Sequence, residues 1–221
     1  MIEKLLTAPI ATAESFADDP VEEMFPEEFA LVAGAVDKRR REFGTVRNCA
    51  RRALATFGID PSPLLPGPGR APRWPDGIVG TMTHCTGYRG AAVARATDIR
   101  SLGLDAEPHA PLEDPGVMDL ITLPEERTHL AQLAAHQPDI NWDRLIFSAK
   151  ESVYKTWYPL TGRWLGFEEA HLTLDPTNST FTARLLVPGP VIDGHRLDTF
   201  TGRWLIDGGL VLTTVTVPAP S

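Results

Sequence analysis

Two carboxylates, Asp105 and Glu107, stand two residues apart in Gly103-Leu104-Asp105-Ala106-Glu107-Pro108-His109. The segment from Leu102 to Asp105 reads as a strand, and in extended backbone residues i and i+2 project to one side, so both carboxylates can face one point. A hard oxygen site of this kind suits Mg²⁺, which keeps several waters and takes up substrate phosphates. Taken alone, the pair is also what two surface acids look like. About forty residues on, Phe147-Ser148-Ala149-Lys150-Glu151-Ser152-Val153-Tyr154-Lys155 sets Glu151 and Lys155 one helical turn apart. As an exposed ion pair that spacing is worth only about 0.2–0.5 kcal/mol. Leu145, Ile146, Phe147, Val153, Tyr154 and Trp157 predict a buried helix instead, whose carboxylate and ammonium need partners that a metal and a phosphate would supply. His84, after Thr83 at the end of another predicted strand, reads by itself as a satisfied structural histidine.

A second cluster is basic. Residues 14–28 hold seven acids and no base, and Lys38-Arg39-Arg40-Arg41, Arg47, Arg51 and Arg52 follow. The contrast points to a local anion site, while the plain alternative is a solvated charged face. A helix is predicted over residues 37–57, capped by Asp37, weakened at Gly44 and stopped by Gly58. On that helix Arg40, Arg47 and Arg51 share a face. In residues 61–75 the prolines and glycines exclude helix and interior strand. Arg70, Arg73 and Trp74 there favour an ordered loop that packs or binds over a flexible tether.

These groups need a scaffold, and the pattern predicts an α+β one. Residues 78–84, 90–95 and 102–105 read as three strands of an antiparallel meander. Helices are predicted over 124–136 and 141–158, the second stopped by Pro159, and strands over 171–174, 181–186, 203–206 and 210–217, with Asp207-Gly208-Gly209 as a hairpin turn. A chain of 221 residues allows one large domain or two lobes of about 100 residues. No sequence repeat stands out, yet each half offers a long helix beside a few strands, compatible with two similar lobes. We expect two lobes, 1–104 and 105–221, packed together.

Composition removes several classes of function. The net charge of −8 is opposite to the basic balance of general nucleic-acid binders. Two cysteines, Cys49 and Cys85, and the start Met1-Ile2-Glu3-Lys4 predict a cytoplasmic protein with free, buried thiols, and no apolar run or terminal lipidation signal in Pro218-Ala219-Pro220-Ser221 predicts membrane attachment. Phosphate-loop, His-Glu-x-x-His, Cys-x-x-Cys and Gly-x-Ser-x-Gly motifs are all missing from the sequence.

Together and in this order, Gly103-Leu104-Asp105-Ala106-Glu107 and the segment from Phe147 to Lys155 resemble the signature of the 4′-phosphopantetheinyl transferases. Thr83-His84-Cys85, Thr45-Val46-Arg47-Asn48-Cys49-Ala50-Arg51 and Gly162-Arg163-Trp164-Leu165-Gly166-Phe167-Glu168 extend the likeness to the surfactin-synthetase and enterobactin-synthetase type, particularly its actinobacterial members. The resemblance implies a monomer of two pseudo-symmetric lobes, each a small, mostly antiparallel sheet on a long helix, with coenzyme A between them. It implies transfer of phosphopantetheine to a serine of an acyl or peptidyl carrier protein, releasing adenosine 3′,5′-bisphosphate.

Carried over to this sequence, Asp105, Glu107 and Glu151, with the Ala106 carbonyl, would hold Mg²⁺, Mn²⁺ being the alternative ion. Glu151 would serve as base, and Lys155 would stabilise the phosphates. Thr83 and His84 would touch phosphate oxygens, and Arg39 and Arg47 would clamp the 3′-phosphate. The loop of Gly67, Gly69, Arg70, Ala71 and Pro72 would cradle the adenine, and Trp164 would line the pantetheine or pyrophosphate side. Where relatives often carry a lysine near the start of this loop, the chain has Pro66-Gly67-Pro68, so that one cationic contact is either missing or supplied by Arg70 or Arg73. Two other readings are a silent carrier-protein or coenzyme A binder, against which the intact acids and Lys155 argue, and a coenzyme A phosphohydrolase with water in place of serine.

Overall fold

The computed structural model describes residues 1–114 and 116–220; Pro115, the terminal Ser221 and the side chain of Glu22 in the acidic stretch lie outside the described residues. In chain order the elements are β1 (Ala11–Ser15), α1 (Pro26–Val32), α2 (Asp37–Ala55), β2 (Ile78–Cys85), β3 (Tyr88–Arg95), β4 (Ile99–Pro108), α3 (Val117–Ile121), α4 (Pro124–His136), α5 (Trp142–Thr161), β5 (Ala170–Asp175), β6 (Thr180–Leu185), β7 (Val191–Ile192), β8 (His195–Arg196), β9 (Thr199–Asp207) and β10 (Leu210–Pro218). A three-stranded sheet, β1-β3-β2, carries α2, and a five-stranded sheet, β4-β10-β9-β6-β5, carries α5. The strand pairs in both are antiparallel, so the class is α+β as expected.

The meander needs correcting. β2 and β3 form the hairpin, but β4 leaves it and pairs with β10, from Pro108 opposite Leu210 back to Ile99 opposite Pro218. Its apolar residues explain the choice: Leu102, Leu104 and Ala106 bury against Leu210 and Leu212. The third strand of the small sheet is β1, whose Ala-Thr-Ala-Glu-Ser is half-buried along its length and alternates only through two small alanines, Ala11 and Ala13, that touch the core. β4 nevertheless runs beside β2. The Leu104 N–H donates to Thr81 Oγ1 at 3.2 Å and the Ala106 N–H to Thr83 Oγ1 at 3.1 Å. Both partners advance by two residues, so the strands are parallel here, and threonine hydroxyls do what carbonyls do in a ladder.

Helix α5 lies on β4 at unusually close range, and Gly103 permits it. A Cβ there would sit 2.0 Å from the Ser152 carbonyl oxygen and 2.4 Å from Thr156 Oγ1. The helix face turned to the sheet is correspondingly small, with Ser148, Ala149, Ser152 and Thr156 all buried. Ser152 Oγ donates to the Ala149 carbonyl and Thr156 Oγ1 to that of Ser152, while Ser148 Oγ pairs with Thr213 Oγ1 of β10 at 3.0 Å. Leu145, Ile146, Val153 and Trp157 enter the main core with Phe181, Phe200 and Trp204, each burial contributing roughly 1.5–3 kcal/mol. Lys150 is buried too, and its Nζ bonds Glu126 at 2.9 Å and the carbonyls of Phe167 and Ala170.

Helix ends differ from expectation in two places. Asp37 is the first residue of α2, with Val36 before it as the cap position, and its carboxylate pairs with Arg40. Pro159 does not stop α5, which continues to Thr161 and closes at Gly162 (φ 65°), whose N–H bonds the Tyr158 carbonyl at 2.8 Å. A proline in the last turn forfeits one hydrogen bond where the helix is about to end anyway. The cysteines are free; Cys49 is buried, whereas Cys85 is only partly so, and burial pushes its thiol up to about 12.

Candidate active site

Asp105 sits where the seam between β2 and β4 meets α5, and it is 5% exposed. Its Oδ1 accepts from Lys155 Nζ at 2.8 Å and from Thr83 Oγ1 at 3.4 Å, and Lys155 donates also to the Leu104 carbonyl at 3.0 Å. Its Oδ2 is buried with no hydrogen-bond partner among the described residues. A buried oxygen left in that state costs on the order of 1–3 kcal/mol, more when charged, and a cation would relieve it.

Glu107 follows on the same strand and accepts from Arg144 NH1 at 3.1 Å. Arg144 in turn donates to the carbonyls of Ala110 and Pro111, pinning the chain that leaves β4. Glu151 lies one turn before Lys155 on α5 and lines a hollow of about 80 Å³ with Tyr154, Trp164 and Phe167. Burial, and then the charge of Asp105, push Glu107 up to about 7 and raise Glu151 above the ordinary range, with Arg144 and Lys155 opposing. Hard oxygen donors crowded enough to repel one another are the chemistry that Mg²⁺ relieves. The fit lies in that donor chemistry and in the orphaned oxygen. Among the described residues, no three of His, Cys, Asp or Glu draw together closely enough to hold an ion, and Lys155 and Arg144 occupy two of the carboxylates. Ala106 sends its N–H to Thr83, and because a strand residue's C=O leaves by the same edge, its carbonyl faces the seam.

Two larger hollows flank the loop of residues 66–74. One, of about 670 Å³, is lined by Arg39, Arg47, Arg70, Thr83 and His84 with Phe43, Pro72 and other apolar neighbours. The other, of about 580 Å³, runs from Gly67, Gly69, Ala71 and Trp74 to Lys155 and Tyr158. Arg70 and Pro72 border both, while Arg73 borders only the second. The loop is ordered, held by a bridge between Pro66 and Pro72 and by the Gly67 N–H on the Ala71 carbonyl at 2.7 Å. Gly69 (φ 61°) is needed twice over, since a Cβ would also lie 2.0 Å from the Tyr158 hydroxyl oxygen. Among the described residues His84 donates no hydrogen bond; its Nε2 meets Arg39 NH1, and since a guanidinium only donates, that nitrogen accepts and the ring is neutral in this contact. The ring is exposed on one side, yet the solvent lost on the other, and then the charges of Arg39, Lys155 and Arg89, push it down to about 4.

Residues 27–94 match the family model of the 4′-phosphopantetheinyl transferase N-terminal domain, and residues 101–204 that of the 4′-phosphopantetheinyl transferase superfamily. The 4′-phosphopantetheinyl transferase Svp of Streptomyces mobaraensis is 60% identical over 224 residues, covering 100% of this chain and 91% of the relative. The 4′-phosphopantetheinyl transferase PptT of Mycobacterium tuberculosis is 49% identical over 211 residues, 93% of this chain and 91% of its own. Enterobactin synthase component D of Salmonella typhi is 32% identical over 184 residues, 80% of this chain and 72% of its own. The chain belongs to the 4′-phosphopantetheinyl transferases.

In this transferase the structure brings Asp105, Lys155, Thr83 and Leu104 into contact, and gathers Arg39, Arg47, Arg70 and His84 round one hollow. Trp164 stands apart from the loop, on the Glu151 side, its indole 72% exposed and its ring 5.0 Å from that of Tyr154. The solvated reading of the arginine face fails for Arg47 and Arg51, which are 7% and 8% exposed beneath α1 and share Glu28. Three residues packed at or beneath the site escaped the sequence reading. Arg144 lies seven residues before Glu151, nearly two turns along the same face, so its spacing alone could have found it. Tyr158 continues that helix past Lys155 toward the loop, whereas nothing local distinguishes Glu28 from the acids around it.

Proposed function

We propose that this transferase moves the 4′-phosphopantetheine group of coenzyme A to a serine hydroxyl of acyl or peptidyl carrier proteins, in a Mg²⁺-dependent reaction that releases adenosine 3′,5′-bisphosphate. The observation that carries the reading is Asp105, a buried carboxylate with one oxygen on Lys155 and the other without a partner, at the meeting of the two sheets. Asp105, Glu107, Glu151 and the Ala106 carbonyl would hold the ion, which when bound supplies Lewis-acid stabilisation of phosphate charge. Lys155 then balances charge on the phosphates and protonates the leaving phosphate oxygen, and Glu151 takes the serine proton, directly or through a water. The serine Oγ–P bond forms as the P–O bond to adenosine bisphosphate breaks.

Thr83 and His84 fit phosphate oxygens because both border the basic hollow. A neutral His84, its Nε2 accepting from Arg39, keeps Nδ1–H to donate. Arg39 and Arg47 suit the 3′-phosphate, where a planar guanidinium binds in bidentate fashion. Arg70, bordering both hollows, is the better stand-in for the missing loop lysine than Arg73. Residues 67–72 would hold the adenine, and Trp164 beside Glu151 the pantetheine arm. The two sheets with their helices act as two lobes of a cytoplasmic monomer, the site lying along their seam. No described helix is long and apolar enough to cross a membrane. The test is the intact mass of an apo carrier protein incubated with this enzyme, coenzyme A and Mg²⁺. A phosphopantetheine gain that disappears with a serine-to-alanine carrier and with chelator is expected; no gain on several carriers, despite coenzyme A binding, would leave a silent binding protein.

A further inference from the structure

Three charged groups are buried together between α1, α2 and the root of the loop: Glu28 at 0% exposure, Arg47 at 7% and Arg51 at 8%. Glu28 Oε1 accepts from Arg51 NH1 at 2.7 Å and from the Leu64 N–H at 2.8 Å, and lies 3.9 Å from Arg47 Nε. Arg47 Nε donates to the Leu64 carbonyl at 2.9 Å and NH1 to that of Phe43 at 3.2 Å, with the guanidinium 3.3 Å from the Phe43 ring centroid. One carboxylate therefore answers two guanidiniums. The closer contact neutralises Arg51, and the surplus positive charge falls on Arg47, which borders the basic hollow.

Leu64 closes the circuit. It is 1% exposed, both its N–H and its C=O are engaged in this cluster, and Pro66 at the edge of the hollow is two residues on. We propose that Glu28 is a positioning residue for the nucleotide end of the site. It pairs off Arg51, orients Arg47 through the Leu64 peptide groups and roots the loop, so that the anion meets a guanidinium already in place. Such preorganisation removes an ordering cost from binding and leaves the reacting atoms untouched. The inference rests on the reading that Arg47 meets the 3′-phosphate of coenzyme A.

The experiment compares wild type, Glu28→Gln and Arg47→Ala with coenzyme A and with 3′-dephospho-coenzyme A, measuring KM and kcat for transfer to one apo carrier. Glu28→Gln keeps size and an acceptor for Leu64 but removes the charge. It is expected to raise the KM for coenzyme A about tenfold, with kcat and the KM for dephospho-coenzyme A within about twofold of wild type. A strut without this role would lower stability and affect both donors alike. If Arg47→Ala erases the preference for coenzyme A while Glu28→Gln leaves it intact, Glu28 does not position the clamp and the inference is overturned. If Arg47→Ala itself leaves the preference intact, the clamp reading fails, and the inference with it. Should Glu28→Gln not fold, Glu28→Gln with Arg51→Met leaves neither member of that pair as an unpaired buried charge, and must show the same loss of preference.

Discussion

Replacing Gly103 by alanine should damage catalysis more than its distance from any reacting atom suggests. The added methyl would lie 2.0 Å from the Ser152 carbonyl oxygen and 2.4 Å from Thr156 Oγ1. An ordinary carbon–oxygen contact is about 3.3 Å, so α5 must lift from β4 by roughly 1 Å, since the nearest obstacle is helix backbone and cannot rotate away. Overpacking of this sort costs about 1–3 kcal/mol, and for a chain this size that is a fall in Tm of roughly 2–12 °C. The same displacement would stretch the 2.8 Å contact of Lys155 with Asp105 beyond hydrogen-bond range and carry Glu151 with it. Misplacement by 1 Å costs on the order of 10²-fold in rate. Single-turnover transfer to an apo carrier at saturating coenzyme A, followed by intact mass, measures the rate, and calorimetry the Tm. A Gly103→Ala enzyme with wild-type kcat and Tm would show that α5 and β4 are not locked together at this point.

If Asp105 and Glu151 hold the ion as proposed, Asp105→Ala and Glu151→Ala are each expected to lower kcat by about 10³-fold or more, because a metal ligand would both orient the pyrophosphate and stabilise its charge; near-normal turnover in either variant removes that residue from the proposed metal site. Lys150→Met strands the buried Glu126 carboxylate, which also accepts from the Leu123 and Leu172 N–H groups, and should cost about 3–5 kcal/mol. Thermal unfolding should recover much of that loss when Glu126→Gln is added, and no recovery would mean that the lysine's carbonyl contacts matter more than its charge. An unfolded chain protonates His84 near pH 6.5 and the folded protein only near 4, so stability falls as pH drops through that window. His84→Gln should flatten that part of the Tm–pH curve, and an unchanged slope would mean the ring is protonated in the folded state well above pH 4.

Much of the site was legible because its chemistry is local. Asp105 with Glu107 and Glu151 with Lys155 are separated by two and four residues, distances over which strand and helix geometry fix what faces what. The ends of α5 were harder, since Pro159 announces a stop that the last turn can ignore. The partner of β4 could not be read at all: a strand chooses its neighbour by which apolar faces meet, and β10 lies about a hundred residues away. Arg47 and Arg51 looked solvated for a similar reason, because burial depends on α1, which folds over them from a stretch whose acids seemed merely superficial.

The two threonines along the seam have a mechanical consequence. A main-chain ladder is stiff, whereas β2 and β4 are stitched by hydroxyls that can rotate and lengthen. A junction held in this way has more freedom to adjust its spacing than either sheet's own ladder. Thr83 takes part in the stitch through its bond from Ala106 and touches the reactive centre through Asp105 Oδ1. Any change in the spacing of β2 and β4 would therefore be felt at Asp105 through that one hydroxyl.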